Sequence, residues 1–224
     1  MVKQERAVRT RAALVRAAAA QFDRDGYDGT SLARISKAAG ISVGALTFHF
    51  STKAELADAV QEAGHSVTRQ ALERVTAAPA PALRTVVDLT LELTRLLEEE
   101  TLVRSAVRLA RERLGTRSWS ELWLPMVSRL LDEAHETGQL HGDARPSDVT
   151  MLVEHLTSGA EAYLRDRLGA GTRSESAAAQ LERVWRLALA GVSAPGATVG
   201  AHLPPARRTD GAAGATIEDT AALS

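Results

Sequence analysis

Apolar side chains recur at intervals of three and four residues along most of the chain, and this spacing predicts amphipathic α-helices. In the first such segment Leu14, Ala17, Ala18 and Phe22 share one face. Glycine, proline and N-capping serine or threonine residues divide the pattern into separate helices. The predicted helices cover residues 10–24, 32–39, 43–48, 52–75, 83–99, 102–114, 118–137, 149–168 and 174–190. No segment alternates apolar and polar residues as a strand does, so we predict an all-α fold of about nine helices.

Two places depart from a simple run of helices. Pro125 lies inside the seventh predicted segment, where it is expected to kink the helix or to mark its true start. The apolar pattern then stops at residue 193. Of the 32 residues from 193 to 224, 22 are Ala, Gly, Pro, Ser or Thr. Such a segment cannot bury enough apolar surface to offset the entropy of ordering, so a disordered tail is predicted over 193–224.

Charge is distributed unevenly, although the net charge of the chain is only −1. Residues 1–53 hold nine basic and four acidic side chains, whereas residues 54–224 hold 18 basic and 24 acidic ones. A basic head joined to an acidic body is typical of a polyanion-binding domain attached to a domain that binds something else. Chance segregation of surface charge is the alternative interpretation.

The composition excludes several classes of function. The chain has no cysteine, so disulfides, zinc–thiolate sites, iron–sulfur clusters and cysteine nucleophiles are ruled out. Its longest nearly apolar stretch, residues 12–22, is too short and too polar to cross a bilayer. The first ten residues carry charge instead of an apolar signal segment, so the expected location is the cytoplasm and no membrane partner is expected.

Two short predicted helices, 32–39 and 43–48, are separated by a turn at residues 40–42 that contains glycine. This spacing is typical of a helix–turn–helix unit, whose second helix lies in the major groove of DNA. The alternative is an ordinary three-helix bundle, which does not account for the basic charge. The residues assigned to the core of this unit are Leu32, Ile35, Ala38 and Leu46.

The start of the second helix has the chemistry of a DNA contact. Gly44 and Ala45 are small and allow the backbone to approach the duplex closely. Ser42 can donate to a phosphate at the positive end of the helix dipole. Lys53, at the start of the next helix, provides a second phosphate anchor.

A longer set of residues carries a family resemblance: Gly26-Tyr27-Asp28-Gly29-Thr30-Ser31, Ile35, Ala39-Gly40-Ile41-Ser42, Gly44-Ala45-Leu46, Phe48-His49-Phe50 and Lys53. Over residues 6–59 the chain resembles the TetR family of transcriptional repressors. The resemblance implies an N-terminal DNA-binding domain, a helical ligand-binding domain and a homodimer made by the last two helices. We therefore expect a DNA-binding domain over 1–53, a ligand-binding and dimerisation domain over 54–192, and the tail beyond them.

The resemblance, together with the helix–turn–helix geometry, defines the expected contacts with operator DNA. They are Thr30, Ser42, Val43, Gly44, Ala45, Thr47, Phe48, His49 and Lys53. Two positions depart from the family pattern, which usually has tyrosine at residue 47 and, in one branch, often lysine at residue 43. Thr47 can still bond a phosphate with a shorter reach, and Val43 can make only apolar contact, for example with a thymine methyl group.

That branch is the γ-butyrolactone receptors of antibiotic-producing actinomycetes. The residues that resemble it are Phe48-His49-Phe50-Ser51-Thr52-Lys53, Val103-Arg104-Ser105-Ala106-Val107-Arg108-Leu109-Ala110, and a tryptophan before Arg129-Leu130-Leu131-Asp132. This resemblance implies a repressor that a small amphipathic molecule of the γ-butyrolactone type releases from its operator. The alternatives keep the fold and replace the signal with an antibiotic or another hydrophobic compound, or with no ligand.

The expected pocket lies between helices of the body. Its candidate residues, chosen by face periodicity, are Val87, Leu91, Trp123, Met126, Leu130, Leu152, Leu156 and Thr157. Trp123 is favoured over Trp119 as a pocket wall, with core packing as the alternative for both. Trp185, Leu181 and Leu189 are assigned to the dimer interface.

Two patterns imitate catalytic or metal sites. Residues 40–44 match the nucleophile-elbow pattern G-x-S-x-G around Ser42, which would make the chain a small hydrolase. The elbow requires a strand before the serine, and a helix is predicted there. His135, His141 and His155 with Glu154 lack the spacing of a helical metal chelate. We therefore expect no enzyme activity, no metal and no cofactor.

Overall fold

The computed structural model of the chain describes residues 2–170 and 175–195. Within these residues the backbone forms nine α-helices and one short 3₁₀ helix, so the prediction of an all-α fold is confirmed. The helices are α1 (Val2–Asp25), α2 (Leu32–Ala38), α3 (Val43–His49), α4 (Lys53–Ala77), α5 (Ala82–Glu99), α6 (Thr101–Glu112), the 3₁₀ helix (Trp119–Leu122), α7 (Leu124–Glu136), α8 (Pro146–Ala170) and α9 (Ala177–Val192).

Two helix boundaries differ from the sequence prediction in an informative way. Helix α1 begins at Val2 instead of near residue 10. Its first turns carry no apolar face, and the exposed ion pair between Arg9 and Glu5, 2.8 Å long, is of the i, i+4 kind that supports a helix without core contacts. The segment around Pro125 divides into the 3₁₀ helix and α7, and Pro125 lies in the first turn of α7, where its missing N–H costs nothing.

The apolar faces form two cores. The core of the head combines residues of α1 to α4 with Leu109 from α6. The core of the body is built from α4 to α9 and the 3₁₀ helix. Helix α4 belongs to both, because Leu56 and Val60 lie in the head and Leu72 lies in the body. A single 25-residue helix therefore connects the two parts.

Helix α6 crosses α4 at very short range. A Cβ atom on Gly64 would lie 2.5 Å from the carbonyl oxygen of Leu102 and 2.6 Å from the Cβ of Ala106. Non-bonded heavy atoms are not tolerated this close together, because the favourable separation between carbon atoms is about 3.5–4.0 Å. The absence of a side chain at Gly64 is what allows the crossing.

Helix α6 also holds the C-terminal end of α1. Arg104 Nε donates to Asp23 Oδ2 over 3.0 Å, and Arg108 donates to the backbone carbonyl of Asp23 over 2.6 Å. The carboxylate of Glu112 accepts from the backbone N–H of Tyr27 over 2.6 Å. These contacts determine how the head is positioned against the body.

The assignment of Trp185, Leu181 and Leu189 to a dimer interface is wrong. Trp185 is fully buried inside the protomer, where its Nε1 donates to Thr90 Oγ1 over 2.7 Å. Leu181 and Leu189 belong to the same core. Periodicity identified an apolar face of α9 correctly, but that face packs on α5 instead of on a second subunit.

The chain remains packed for a few residues beyond α9. The backbone N–H of His141 donates to Val192 over 2.8 Å, and that of Ala194 donates to Gln139 over 3.0 Å. The predicted disordered tail otherwise lies outside the described residues. Among the described helices, none is both long enough and apolar enough to cross a bilayer.

Candidate nucleic-acid interface and effector cavity

The turn between α2 and α3 is formed by local hydrogen bonds. Gly40 has a φ of +69°, a conformation that glycine adopts without strain. The backbone N–H of Ile41 then donates to the carbonyl of Ser36 over 3.0 Å. Ser42 Oγ accepts from the N–H of Ala45 over 3.1 Å and caps α3. These signals are local, which is why the sequence predicts this unit well.

Helix α3 has one buried residue and a broad exposed face. Leu46 is completely buried against the head core, whereas Val43 is 44% exposed and Phe48 is 85% exposed. The other exposed positions are Ser42, Gly44, Ala45 and Thr47. No atom lies within 4 Å of a Cβ built on Gly44, so a DNA backbone can approach this face closely.

His49 is half-buried beside this face, with its ring 5.4 Å from that of Phe48 in an edge-on arrangement. Of the four residues assigned to the core of the unit, Ile35 and Leu46 are fully buried and Leu32 is partly buried. Ala38 is exposed, so its assignment to the core is wrong. It lies in the last turn of α2 on the side away from the core, whereas the next residue, Ala39, packs against the core.

Two of the predicted DNA contacts are used inside the head. Thr30 is 2% exposed, and its hydroxyl donates to the carbonyl of Gly26 over 2.7 Å. Lys53 Nζ donates to the carbonyls of Tyr27 and Thr30 over 2.9 and 3.1 Å and lies 4.2 Å above the centre of the Tyr27 ring. In this structure both side chains therefore hold the loop after α1, behind the exposed face of α3.

A cavity of about 290 Å³ lies in the body between α6, the 3₁₀ helix and α8. Of the eight predicted pocket residues, Trp123 and Thr157 line it. Other lining residues were not predicted: Val107, Ala110, Arg111, Thr116, Ser118, Trp119, Ser120, Glu154, Ser158 and Glu161. Most of these are polar or charged, so a search for apolar helix faces could not find them.

The remaining six predicted pocket residues lie elsewhere. Three of them, Val87, Leu91 and Leu130, are buried in the body core. Met126 and Leu156 are partly buried and pack against this core, and Leu152 is also partly buried. Leu152 lines a separate shallow depression near His141. Face periodicity predicts which side of a helix points inward, but it does not predict where neighbouring side chains leave a space.

The two neighbouring tryptophans differ in their hydrogen bonds. Their rings meet edge to face with centroids 6.1 Å apart. Trp119 Nε1 donates to Thr68 Oγ1 over 3.0 Å. Trp123 Nε1 is buried and has no hydrogen-bond partner. Trp123 lines the cavity, and a buried N–H without a partner is costly in a native protein, so a ligand acceptor that reached this nitrogen would be stabilising.

The arrangement does not support the catalytic interpretation of Ser42. Helix α2, and not a strand, precedes this serine, and its Oγ is occupied in capping α3. In the part of the chain that the structure describes, no three side chains of His, Asp or Glu are grouped as metal ligands. His65 Nε2 is buried without a hydrogen bond, and burial lowers the pKa of this imidazole.

A helix–turn–helix head joined by one long helix to a helical body with an internal cavity defines a class of DNA-binding regulatory proteins. Residues 14–60 match the family described as bacterial regulatory proteins, tetR family. The chain is 28% identical to the A-factor receptor protein of Streptomyces griseus over 222 residues, which cover 95% of this chain and 74% of that protein.

Solved structures show the same relationship. A γ-butyrolactone receptor described as an ArpA-like protein superposes with a TM-score of 0.71 at 27% identity, over 84% of this chain and 90% of that one. TylP, a tetR regulator from Streptomyces fradiae, is 31% identical over 84% of this chain and 88% of its own, with a TM-score of 0.58. The chain therefore belongs to the tetR family of bacterial regulatory proteins. Relatives of this kind also confirm the prediction that it is a regulator and not an enzyme.

Proposed function

We propose that this protein is a homodimeric transcriptional repressor that binds operator DNA through α3 and releases it when a small amphipathic molecule, of the γ-butyrolactone type, enters the body. The observation that carries the proposal is the division of α3 into one fully buried leucine and a broad exposed face. A head with nine basic and four acidic residues carries that face.

The exposed face has the properties that major-groove binding requires. Its first turn is small at Gly44 and Ala45, so the helix can enter the groove without steric conflict. The Ser42 hydroxyl lies at the positive end of the α3 dipole, beside the position where a phosphate would bind. Val43 and Phe48 add apolar surface that can contact thymine methyl groups.

A second copy of the chain would cover the outer faces of α8 and α9. Met151 and Tyr163 of α8 are 55% and 37% exposed, and Val184 and Leu187 of α9 are 41% and 78% exposed. The two faces adjoin, because Gln180 of α9 donates to the Tyr163 hydroxyl over 2.8 Å. Dimerisation through this apolar surface would place two heads on successive major grooves, about 34 Å apart.

The cavity beside Trp123 supports a small effector. A volume of about 290 Å³ lies at the low end of the range for ligand pockets. This size favours a molecule like a γ-butyrolactone over a bulky antibiotic. The unpaired Trp123 Nε1 would donate to the lactone carbonyl, which supplies the acceptor that the protein itself does not.

The cavity adjoins the elements that position the head. Helix α6 lines the cavity at Val107 and Arg111 and holds α1 through Arg104 and Arg108. An effector acts by its differential affinity for the conformations that bind DNA and those that do not. A coupling of about 2–3 kcal/mol would weaken operator binding by about 30- to 150-fold.

Fluorescence anisotropy with labelled DNA from upstream of the gene, together with a scrambled duplex, tests the DNA half of the proposal. The decisive variant is Val43→Glu, which places a negative charge on the exposed face of α3. Its matched control is Leu114→Glu, at a fully exposed position of the body. We expect preference for the upstream fragment, a steep loss of affinity with salt, and loss of binding in Val43→Glu only. Equal loss in both variants would contradict the proposal.

Titration of the protein–DNA complex with γ-decalactone, a γ-butyrolactone with an alkyl chain, tests the effector half. We expect the lactone to release the wild-type protein and the Trp119→Phe variant, and to release Trp123→Phe much less. Release that is the same in both tryptophan variants would show that the lactone does not act through the Trp123 donor.

A further inference from the structure

A second and larger cleft, of about 570 Å³, lies where the C-terminal end of α1 meets α6 and α8. Its floor is apolar and buried, and it consists of Leu97, Val107 and Leu164. Its walls carry five arginines and three carboxylates, so positive charge is in excess. An apolar floor with a cationic wall is suited to a molecule that has a hydrocarbon part and an anionic group.

Three of the five arginines have structural partners. Arg104 donates to Asp23 and to two backbone carbonyls near the end of α5. Arg108 donates to Glu112 and to the carbonyl of Asp23. Arg24 donates to the carboxylate of the next residue. Arg104 and Arg108 hold the head against the body, and all three side chains already make close hydrogen bonds.

The other two arginines, Arg111 and Arg165, converge on one carboxylate, that of Glu161, with which Arg111 forms a close ion pair and Arg165 does not. Arg165 lies 3.9 Å from Glu161 and 3.8 Å from the exposed Asp166, and both distances are too long for a hydrogen bond. An added carboxylate could replace these long contacts with short, charge-assisted bonds. Burial, and to a smaller extent the neighbouring charge of Arg165, lowers the pKa of the Arg111 guanidinium.

We propose that this cleft is a second effector site, which binds an amphipathic carboxylate. The hydrocarbon part lies on the apolar floor, and the carboxylate lies between Arg111 and Arg165 in competition with Glu161. Asp23 and Arg24 of α1 form the wall on the side of the head, so occupancy of the cleft is coupled to the position of the head. This coupling rests on the proposed function, whereas the binding itself does not.

The cleft is distinct from the cavity beside Trp123. Val107, Arg111 and Glu161 line both spaces, whereas Arg165 lines only the cleft and Trp123 lines only the other cavity. A variant at Arg165 therefore reports on the cleft, and a variant at Trp123 reports on the other cavity.

Saturation-transfer NMR with octanoate and its neutral analogue octanamide tests the proposal on the full chain without DNA. We expect octanoate to bind more tightly than octanamide. Arg165→Gln should weaken octanoate by about tenfold, the effect of losing one hydrogen bond to a charged group. Glu161→Gln removes the competing carboxylate and should strengthen octanoate binding severalfold, a gain that misfolding cannot produce. Trp123→Phe should leave it unchanged.

Equal binding of octanoate and octanamide, or octanoate binding that Arg165→Gln leaves intact, would overturn the proposed site. Weaker octanoate binding in Glu161→Gln would also contradict it. The anisotropy assay then tests the coupling, since octanoate should change the affinity of wild-type protein for DNA and have less effect on Arg165→Gln. If the protein binds no DNA, the proposed function fails while the NMR result still decides the site.

Discussion

Replacing Gly64 with alanine is expected to lower the thermal midpoint of the protein, although alanine is the better helix former. The new Cβ would lie 2.5 Å from the carbonyl oxygen of Leu102 and 2.6 Å from the Cβ of Ala106. Both contacts are about 1 Å shorter than a favourable one. The oxygen belongs to the backbone of α6, so no change of rotamer relieves the contact and the two helices must move apart.

The magnitude follows from two opposing effects. Overpacking of a tight contact costs about 1–3 kcal/mol. The change from glycine to alanine inside a helix returns up to about 1 kcal/mol. Because a backbone atom is involved, the cost lies in the upper part of its range, and the net loss is about 1–2 kcal/mol. For a chain of this size that loss lowers the midpoint by about 2–8 °C.

Thermal unfolding followed by circular dichroism, at one fixed protein concentration, measures the effect. The matched control is Gly44→Ala, because no atom lies within 4 Å of the Cβ position at Gly44. That variant should be as stable as the wild type or more stable, by up to about 1 kcal/mol. A midpoint for Gly64→Ala at or above the wild-type value would refute the close crossing of α4 and α6.

Three other perturbations test the head, the cavity and the contact between them. Leu46→Ala should lower the free energy of unfolding by about 2–5 kcal/mol because this side chain is fully buried. Phe48→Ala removes an exposed side chain, so it should have the thermal midpoint of the wild type and bind operator DNA more weakly. Trp119→Phe and Trp123→Phe each remove part of a buried ring, but only Trp119→Phe also removes a buried hydrogen bond, so it should cost about 1 kcal/mol more than Trp123→Phe; equal losses in thermal melts would count against this difference. Burial raises the pKa of the Glu112 carboxyl, but hydrogen bonds from an arginine and a backbone N–H lower it more, so the folded pKa is below its usual value. The stability that Glu112 contributes is therefore present above the pKa of this carboxyl in the unfolded chain, and it is lost as the pH falls through the lower pKa of the folded protein. The difference in urea midpoint between the wild type and Glu112→Gln should accordingly shrink from about pH 7 to about pH 3.

The helices and the helix–turn–helix unit could be predicted because their signals are local. Gly40 and Ser42 terminate one helix and cap the next through bonds that span three to five residues. Leu46 and Phe48 are both apolar, but the sequence assigns Leu46 to the core and Phe48 to the DNA-binding face, and only Leu46 is buried. The sequence also predicts the basic character of the head, since charge needs no tertiary structure to be counted.

The partners of these helices were decided by contacts between residues far apart in the chain. Trp119 and Trp123 have the same periodicity, and the difference between them depends on Thr68, 51 residues before Trp119. Trp185 packs inward with the apolar face of α9, and Thr90, 95 residues away, accepts its N–H. Lys53 reaches back to the Tyr27 carbonyl instead of facing outward.

The physical reason is the range of the interactions. Caps, turns and helical periodicity depend on neighbours within about two turns of helix, so the sequence determines them directly. A cavity is the space that several packed helices leave unfilled, and its shape depends on every side chain around it at close-packed density. The sequence by itself therefore determined the helices, the basic head and the capped turn of this protein, and only the tertiary structure decided which faces meet and where the two cavities lie.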